Sequence, residues 1–197
     1  VHAARLRSAP AGAATFEWLH CDAVQPLAVT RLRRSQPAAS PLRPGAASVV
    51  SCMFAAHYMC EDDDGANRLF ELLAGCCARG GAVALVLPCA ERIEAALRRG
   101  VRSPLFELRP AGPRSVVCHV FGSTPPAPEP LLSSRRVLYE MRTRGVGTVL
   151  LDCGLRALRA RFAADCERRA AMSCPETLCA EQWALSDLYQ VLVLAKP

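Results

Sequence analysis

Ser51-Cys52-Met53-Phe54-Ala55-Ala56-His57-Tyr58 is the stretch that decides how this chain folds. Val49 and Val50 lead into it, and Glu61-Asp62-Asp63-Asp64 and a helical pattern follow it. A near-continuous apolar run ahead of an acidic helix start reads as a strand covered on both faces and then a crossover helix. Such a strand, residues 48–54, delivers Phe54, His57 and Tyr58 to its carboxyl end. In an open α/β sheet that end faces the crevice where ligands lie. One apolar aromatic face and two hydrogen-bonding rings therefore stand where a cofactor and a flat substrate would sit.

The same alternation continues outward. The acidic cluster suits a helix N-terminus, with Asp64 as its cap. Ala66, Leu69, Phe70, Leu72 and Leu73 form one apolar helix face, and Arg79-Gly80-Gly81 closes that helix. Residues 82–87 read as a buried strand stopped by Pro88, and 91–99 as a short helix. Further along, 115–121 is a strand, 125–130 a rigid Pro-rich connection, 131–144 a helix and 148–152 a strand. A basic amphipathic helix over 155–171 and a last strand over 187–195 complete the series. Upstream, 16–20 alternates as a short strand ended by Cys21-Asp22-Ala23, and 1–7 reads as the tail of a helix. Residues 31–45, rich in Arg, Pro, Ser and Ala, read as a loop or insertion. Strands alternating with helices predict an α/β fold with a parallel sheet in a single domain over 1–197.

Composition narrows the classes. A chain of 197 residues with 51% hydrophobic content can bury one core. No apolar run approaches a membrane span, and no signal-peptide pattern opens the chain. The net charge is +6 and Lys196 is the only lysine, so the excess is arginine; it reads as compositional bias or as a weak preference for polyanions. Eleven cysteines without a CxxC pair suggest reduced, intracellular thiols and no zinc site. No Ser, His and Asp pattern marks a nucleophile, so a catalytic triad is not expected.

Several segments in this order resemble the mRNA cap (guanine-N7) methyltransferases, a class I S-adenosylmethionine-dependent family. Phe16-Glu17-Trp18-Leu19-His20-Cys21-Asp22 is similar to the family strand ending in an acidic residue near the adenine. Phe54, His57 and Tyr58 fall in the family's Phe-x-x-His-Tyr segment. Arg79-Gly80-Gly81 through Pro88 is similar to its Gly-Gly turn, strand and terminal proline, and Pro128-Glu129 to its Pro-Glu. Glu181-Gln182-Trp183 through Tyr189 and Val191 is similar to its C-terminal Glu-Trp and Tyr-Leu-Val strand.

The resemblance implies a Rossmann-like class I methyltransferase sheet with helices on both faces, lacking its first two strands in this chain. It implies S-adenosylmethionine as cofactor, with Asp22, Met53 and Tyr58 on its side. It implies a cap guanine held by Phe54, His57, Pro88, Glu129 and Tyr189. The capped 5′ end of mRNA, with a capping-enzyme or activating partner, would be the partners, in the nucleus or, for a viral protein, the cytoplasm. No membrane and no metal are implied. The chain departs from the pattern in three places. The Gly-rich cofactor loop and the acidic end of the second strand are absent, Met53 stands where the family has glutamine, and Pro130 and Ser133-Ser134 replace an apolar continuation. A sheet without its opening strands exposes an apolar edge, so the fragment is expected to belong to a longer polypeptide.

The residue types make chemical sense for that substrate. Guanine presents O6 and N7 as acceptors and its amino group as a donor. A carboxylate such as Glu129 accepts from the N1–H and amino edge in charge-assisted bonds and favours the cation formed by N7 methylation. His57 can donate to O6, Tyr58 and Tyr189 can frame the base, and Phe54 and Pro88 offer flat apolar surfaces. Two rival readings stay open: a class I methyltransferase on a small molecule, and a non-catalytic methyltransferase-like subunit. Singly, His57, Tyr58 and Phe54 also read as core or helix-end residues, Asp22 as a turn residue and Glu129 as a solvated loop glutamate.

Overall fold

The computed structural model describes residues 2–5, 17–20, 44–101, 103–121, 127–168 and 179–197. Its centre is a four-stranded sheet in the order β3-β4-β9-β8, where β3 is Ala47–Met53, β4 Cys77–Pro88, β8 Thr148–Gly154 and β9 Tyr189–Ala195. β3 and β4 pair in parallel and are joined by helix α1, Asp63–Cys76. β9 runs antiparallel to both its neighbours, β4 and β8. The sheet is therefore mixed rather than purely parallel. The final strand enters the slot between β4 and β8 from the opposite direction, because helix α5, Ala180–Ser186, leaves the chain at the carboxyl end of the parallel strands.

Register explains the core. Val83, Leu85 and Leu87 of β4 share one face by the two-residue period of a strand, beside Leu192 and Leu194 of β9. Ala66, Leu69, Phe70 and Leu73 of α1 cover that face, together with Val137 and Met141 of helix α3, Ser134–Thr143. A second cluster joins Ile93 and Ala96 of helix α2, Ala90–Arg98, to Phe106, Val116 and Leu188. Phe106 opens strand β5, Phe106–Gly112, which forms a hairpin with β6, Ser115–Val120. A two-residue strand β7, Glu129–Pro130, pairs with β6. Helix α4, Leu155–Arg168, follows β8 directly.

Five expectations change. The cap of α1 is Asp62, whose carboxylate accepts from the Gly65 amide at 2.5 Å, so Asp63 and Asp64 stand in the first turn. Gly80-Gly81 does not close a helix; the pair lies within β4 as an irregularity, where the register steps from Ala47↔Cys77 to Val49↔Ala82. Gly80 has φ +73°, and a Cβ on Gly81 would meet the Ser48 carbonyl oxygen at 2.8 Å, so both positions need glycine. His2–Arg5 is strand β1, not a helix tail, and pairs antiparallel with β2, Glu17–His20. Those two form a separate ribbon, so β2 does not join the main sheet as expected. Pro128-Glu129-Pro130 is not simply a loop, since Glu129 pairs with Val116. No described helix is long and apolar enough to cross a membrane.

Phe70 is fully buried between α1 and the sheet. Phe70→Ala is expected to destabilise the protein by about 3–5 kcal/mol in denaturant titration, through lost transfer energy and the cavity left behind. Asp62→Ala leaves the packing intact and is expected to cost about 1 kcal/mol, the worth of one N-cap.

Candidate active site

Three separated segments meet at the carboxyl end of β3 and β4. The first continues β3. The Phe54 amide still donates to the Val86 carbonyl at 2.8 Å, and Phe54 then turns to φ +57°. It is the one non-glycine residue with positive φ among the described residues, an unfavourable conformation for a bulky side chain. That turn sends the chain into the 3-10 turn Tyr58–Cys60, with His57 at its N-cap. The second segment is the end of β9: Pro88 of β4 is paired with Tyr189, so the two share one face with Met53 and Val86. The third is β7, which the β6 ladder holds rigidly enough to aim Glu129 back at the 3-10 turn.

Their side chains converge. The Tyr58 hydroxyl donates to Glu129 Oε1 at 3.0 Å. His57 Nε2 lies 3.6 Å from Glu129 Oε2, too long for a hydrogen bond and close enough for an ion pair when the ring is protonated. The rings of His57 and Tyr58 lie against each other, tilted by 40°, with centroids 3.9 Å apart. Phe54 meets Tyr189 edge to face at 5.2 Å. His57 is only 2% exposed, yet neither ring nitrogen has a hydrogen-bond partner among the described residues. A buried polar group without a partner is costly, so this imidazole is a group poised to receive one. By contrast Phe54 and Tyr58 are about half exposed, at 48% and 57%.

Electrostatics follow from this packing. The His57 ring and then the Tyr58 hydroxyl hold the Glu129 carboxyl below its ordinary value, against the opposing effect of burial. Burial, then the Glu129 charge, pushes the Tyr189 phenol up to about 12, and the Tyr58 phenol is raised for the same two reasons. At neutral pH the site is thus one fixed carboxylate ringed by neutral hydroxyls.

Of the residues singled out in the sequence, His57, Tyr58 and Glu129 touch one another, and Phe54, Tyr189 and Pro88 form the adjoining apolar wall. Tyr58, assigned to the cofactor side, has its hydroxyl on Glu129. Met53 is the exposed end of β3, on the face of Val86 and Pro88, and Asp22 lies outside the described residues. Sequence reading missed Cys118 of β6, whose thiol burial and then Glu129 push up to about 11. No motif marks it; only the β6–β7 pairing brings it to the site. Two surface grooves of about 780 and 790 Å³ lie elsewhere, and neither is lined by His57, Tyr58 or Glu129.

Several solved structures align with parts of the chain at low identity. The PH0226 protein from Pyrococcus horikoshii OT3 aligns over 78% of this chain and 53% of its own, with 9% identity and a TM-score of 0.44. An S-adenosylmethionine-dependent methyltransferase from Clostridium acetobutylicum ATCC 824 aligns over 75% and 57%, with 7% identity and a TM-score of 0.42. The glycopeptide N-methyltransferase MtfA, crystallised with S-adenosyl-L-homocysteine, aligns over 76% and 55%, with 14% identity and a TM-score of 0.38. The chain thus spans a little over half the length of these proteins. No protein-family model and no curated protein sequence matches it. At such identities and TM-scores the likeness names no family, and what the described residues themselves display is a mixed α/β sheet flanked by helices.

Replacing Tyr58 with Phe removes one of the two groups that hold the Glu129 carboxyl low. Its midpoint, read from the carboxyl carbon in an NMR pH titration, is expected below 4.5 in the parent protein and to rise in Tyr58→Phe. An unchanged midpoint would break the link between the hydroxyl and the charge.

Proposed function

We propose that this chain forms the substrate-binding part of an S-adenosylmethionine-dependent methyltransferase whose acceptor is N7 of guanine in the cap of an mRNA. The observation that carries the reading is the Glu129 carboxylate fixed between the Tyr58 hydroxyl and the His57 ring, beside the Phe54–Tyr189 wall. A flat base with an N1–H and an amino group facing a carboxylate, an acceptor O6 and an apolar face uses each of these groups once. Glu129 accepts from the N1–H and amino edge. His57, buried and without a partner, donates to O6. Tyr189, Pro88 and Phe54 hold the ring plane and exclude water from it.

The cofactor's side fits what this chain presents. Met53 and Phe54 are exposed at the carboxyl end of β3, where a parallel α/β sheet takes its ligand, and thioether and ring give an apolar, polarizable contact. When bound, S-adenosylmethionine would supply a methyl group activated on its sulfonium for the N7 lone pair. N7 carries no proton, so no general base is required, and the chain's part is orientation and exclusion of water. Glu129 also favours the positive charge that the ring acquires.

A small-molecule acceptor is the second reading. Solved neighbours include a glycopeptide N-methyltransferase and a geranyl diphosphate C-methyltransferase from Streptomyces coelicolor A3(2). The two readings differ over Glu129. For a guanine acceptor, Glu129→Ala in the protein bearing this chain is expected to lower methyl transfer to capped RNA about 100-fold or more. Cofactor binding by calorimetry should be retained. Undiminished methylation of capped RNA by the variant, or methylation of a small acceptor in its place, would overturn the guanine reading.

A further inference from the structure

The rim next to this site carries a feature that the guanine pocket does not use. Gly154 of β8 is paired with Gln190 of β9, so α4 begins immediately beside Tyr189. From its first two turns Arg156 and Arg159 reach the same indole. Their guanidinium carbons lie 5.5 and 5.2 Å from the centroid of the Trp183 ring. Trp183 belongs to α5, six residues before Tyr189, so the chain itself keeps the pair within about 20 Å of the site. Arg156 is also paired with Asp187 at 3.1 Å. Among the described residues no carboxylate pairs with Arg159, and both arginines are exposed.

One indole thus has two guanidinium groups within cation–π distance, which limits how far either can wander from the ring. Two exposed guanidiniums held near one ring suit a chain of phosphate oxygens, which guanidinium groups bind in charge-assisted and bidentate fashion. The surface continues in the same sense. The groove of about 790 Å³ next to Asp187 is lined by Arg92 and Arg99. Its remaining acidic side chain, Glu91, is taken up by Ser134 and the Cys89 thiol. Arg92 itself donates to the Asp187 carbonyl at 3.3 Å.

We infer that Arg156 and Arg159, pinned on Trp183, form a phosphate clamp for the polyphosphate and first nucleotides of a single-stranded RNA whose guanine occupies the Glu129 site. The inference rests on the guanine reading for the identity of the nucleic acid; the clamp's affinity for phosphate does not.

Two measurements separate the two ideas. In the protein bearing this chain, inorganic tripolyphosphate and a capped ten-nucleotide RNA are titrated against wild type, Arg159→Ala, Arg159→Lys and Trp183→Leu. Arg159→Ala is expected to weaken both ligands about tenfold and to lower the slope of log K against log salt by close to one phosphate contact. Arg159→Lys keeps the charge and restores part of the affinity, while Trp183→Leu loses affinity with both charges present. Methyl transfer to unphosphorylated guanosine, where the clamp has nothing to hold, should be equal in Arg159→Ala and wild type. Tripolyphosphate affinity and salt slope unaltered in Arg159→Ala would overturn the clamp whatever the methylation assay gives. So would anionic vesicles competing out the RNA at this surface. Absence of guanine methylation by wild type, with the phosphate effect intact, would instead strike the guanine reading.

Discussion

The structure depends on one insertion: β9 takes the slot between β4 and β8, hydrogen-bonded on both edges by the last strand of the described chain. Until that strand is in place the sheet has two halves, and each half has an open edge. The pairing is also long-range, since β4 and β9 lie about a hundred residues apart, and closing such contacts carries the loop entropy of everything between. The chain locks the strand at its far end as well. Lys196, the only lysine, donates to the Ala74 and Cys77 carbonyls at 2.8 and 2.9 Å and so satisfies the frayed end of α1. The Gly80 amide and the Lys196 carbonyl, and the Lys196 amide and the Gly81 carbonyl, pair around the same point. The glycine irregularity in β4 is thus where helix, strand and chain end are fastened together.

The site is a consequence of that insertion. Tyr189 exists as a wall only because β9 reaches Pro88, and Cys89 then bonds to the Leu188 carbonyl at 2.9 Å. The bridge between Cys89 and Leu132 fixes the segment just past Glu129 to the same strand end. Each of the three segments that meet there is therefore tied to the end of β4 by backbone hydrogen bonds, and the side chains inherit that rigidity. Strain is concentrated at Phe54, whose left-handed backbone turns β3 away from its own direction and toward Tyr189. A bulky residue keeps such a conformation only where its surroundings over-determine it.

What the sequence disclosed follows from what each signal measures. The β3 stretch, α1 and β4 were legible because continuous apolar strands and a 3.6-residue apolar face report burial directly. The hairpin β5–β6 was half missed: Phe106-Glu107-Leu108-Arg109 alternates over only four residues before Pro110 ends the pattern, and only Phe106 and Leu108 tie β5 to the core. Gly80-Gly81 looked like a helix stop because glycine pairs stop helices, yet here close approach to Ser48 demands them inside a strand. Asp62, rather than Asp64, caps α1 because three consecutive aspartates present no local signal as to which carboxylate folds back. Convergence of Phe54, His57, Tyr58, Glu129 and Tyr189 could not come from periodicity at all. Only order and residue type, read as a resemblance, suggested it, because contacts across more than seventy residues leave no trace in local pattern.

The chemistry of Glu129 can be carried one step further by counting acceptors. An ionised carboxylate offers two oxygens and about four lone-pair sites. Tyr58 takes one of these on Oε1, and His57 faces Oε2 without completing a bond. Capacity therefore remains for two further donors without displacing Tyr58, which is the number a purine edge with an N1–H and an amino group brings. A carboxylate left free in solvent would have to be desolvated and oriented at the moment of binding. Here the hydroxyl and the neighbouring imidazole have already done both, and the partial burial that this requires is offset by their hold on the charge. The buried His57 nitrogens complete the argument from the other side. Under the guanine reading proposed above, a polar ring kept dry and without a hydrogen bond among the described residues would gain one when an acceptor arrives, and its cost in the free state would become selectivity for a ligand that can accept.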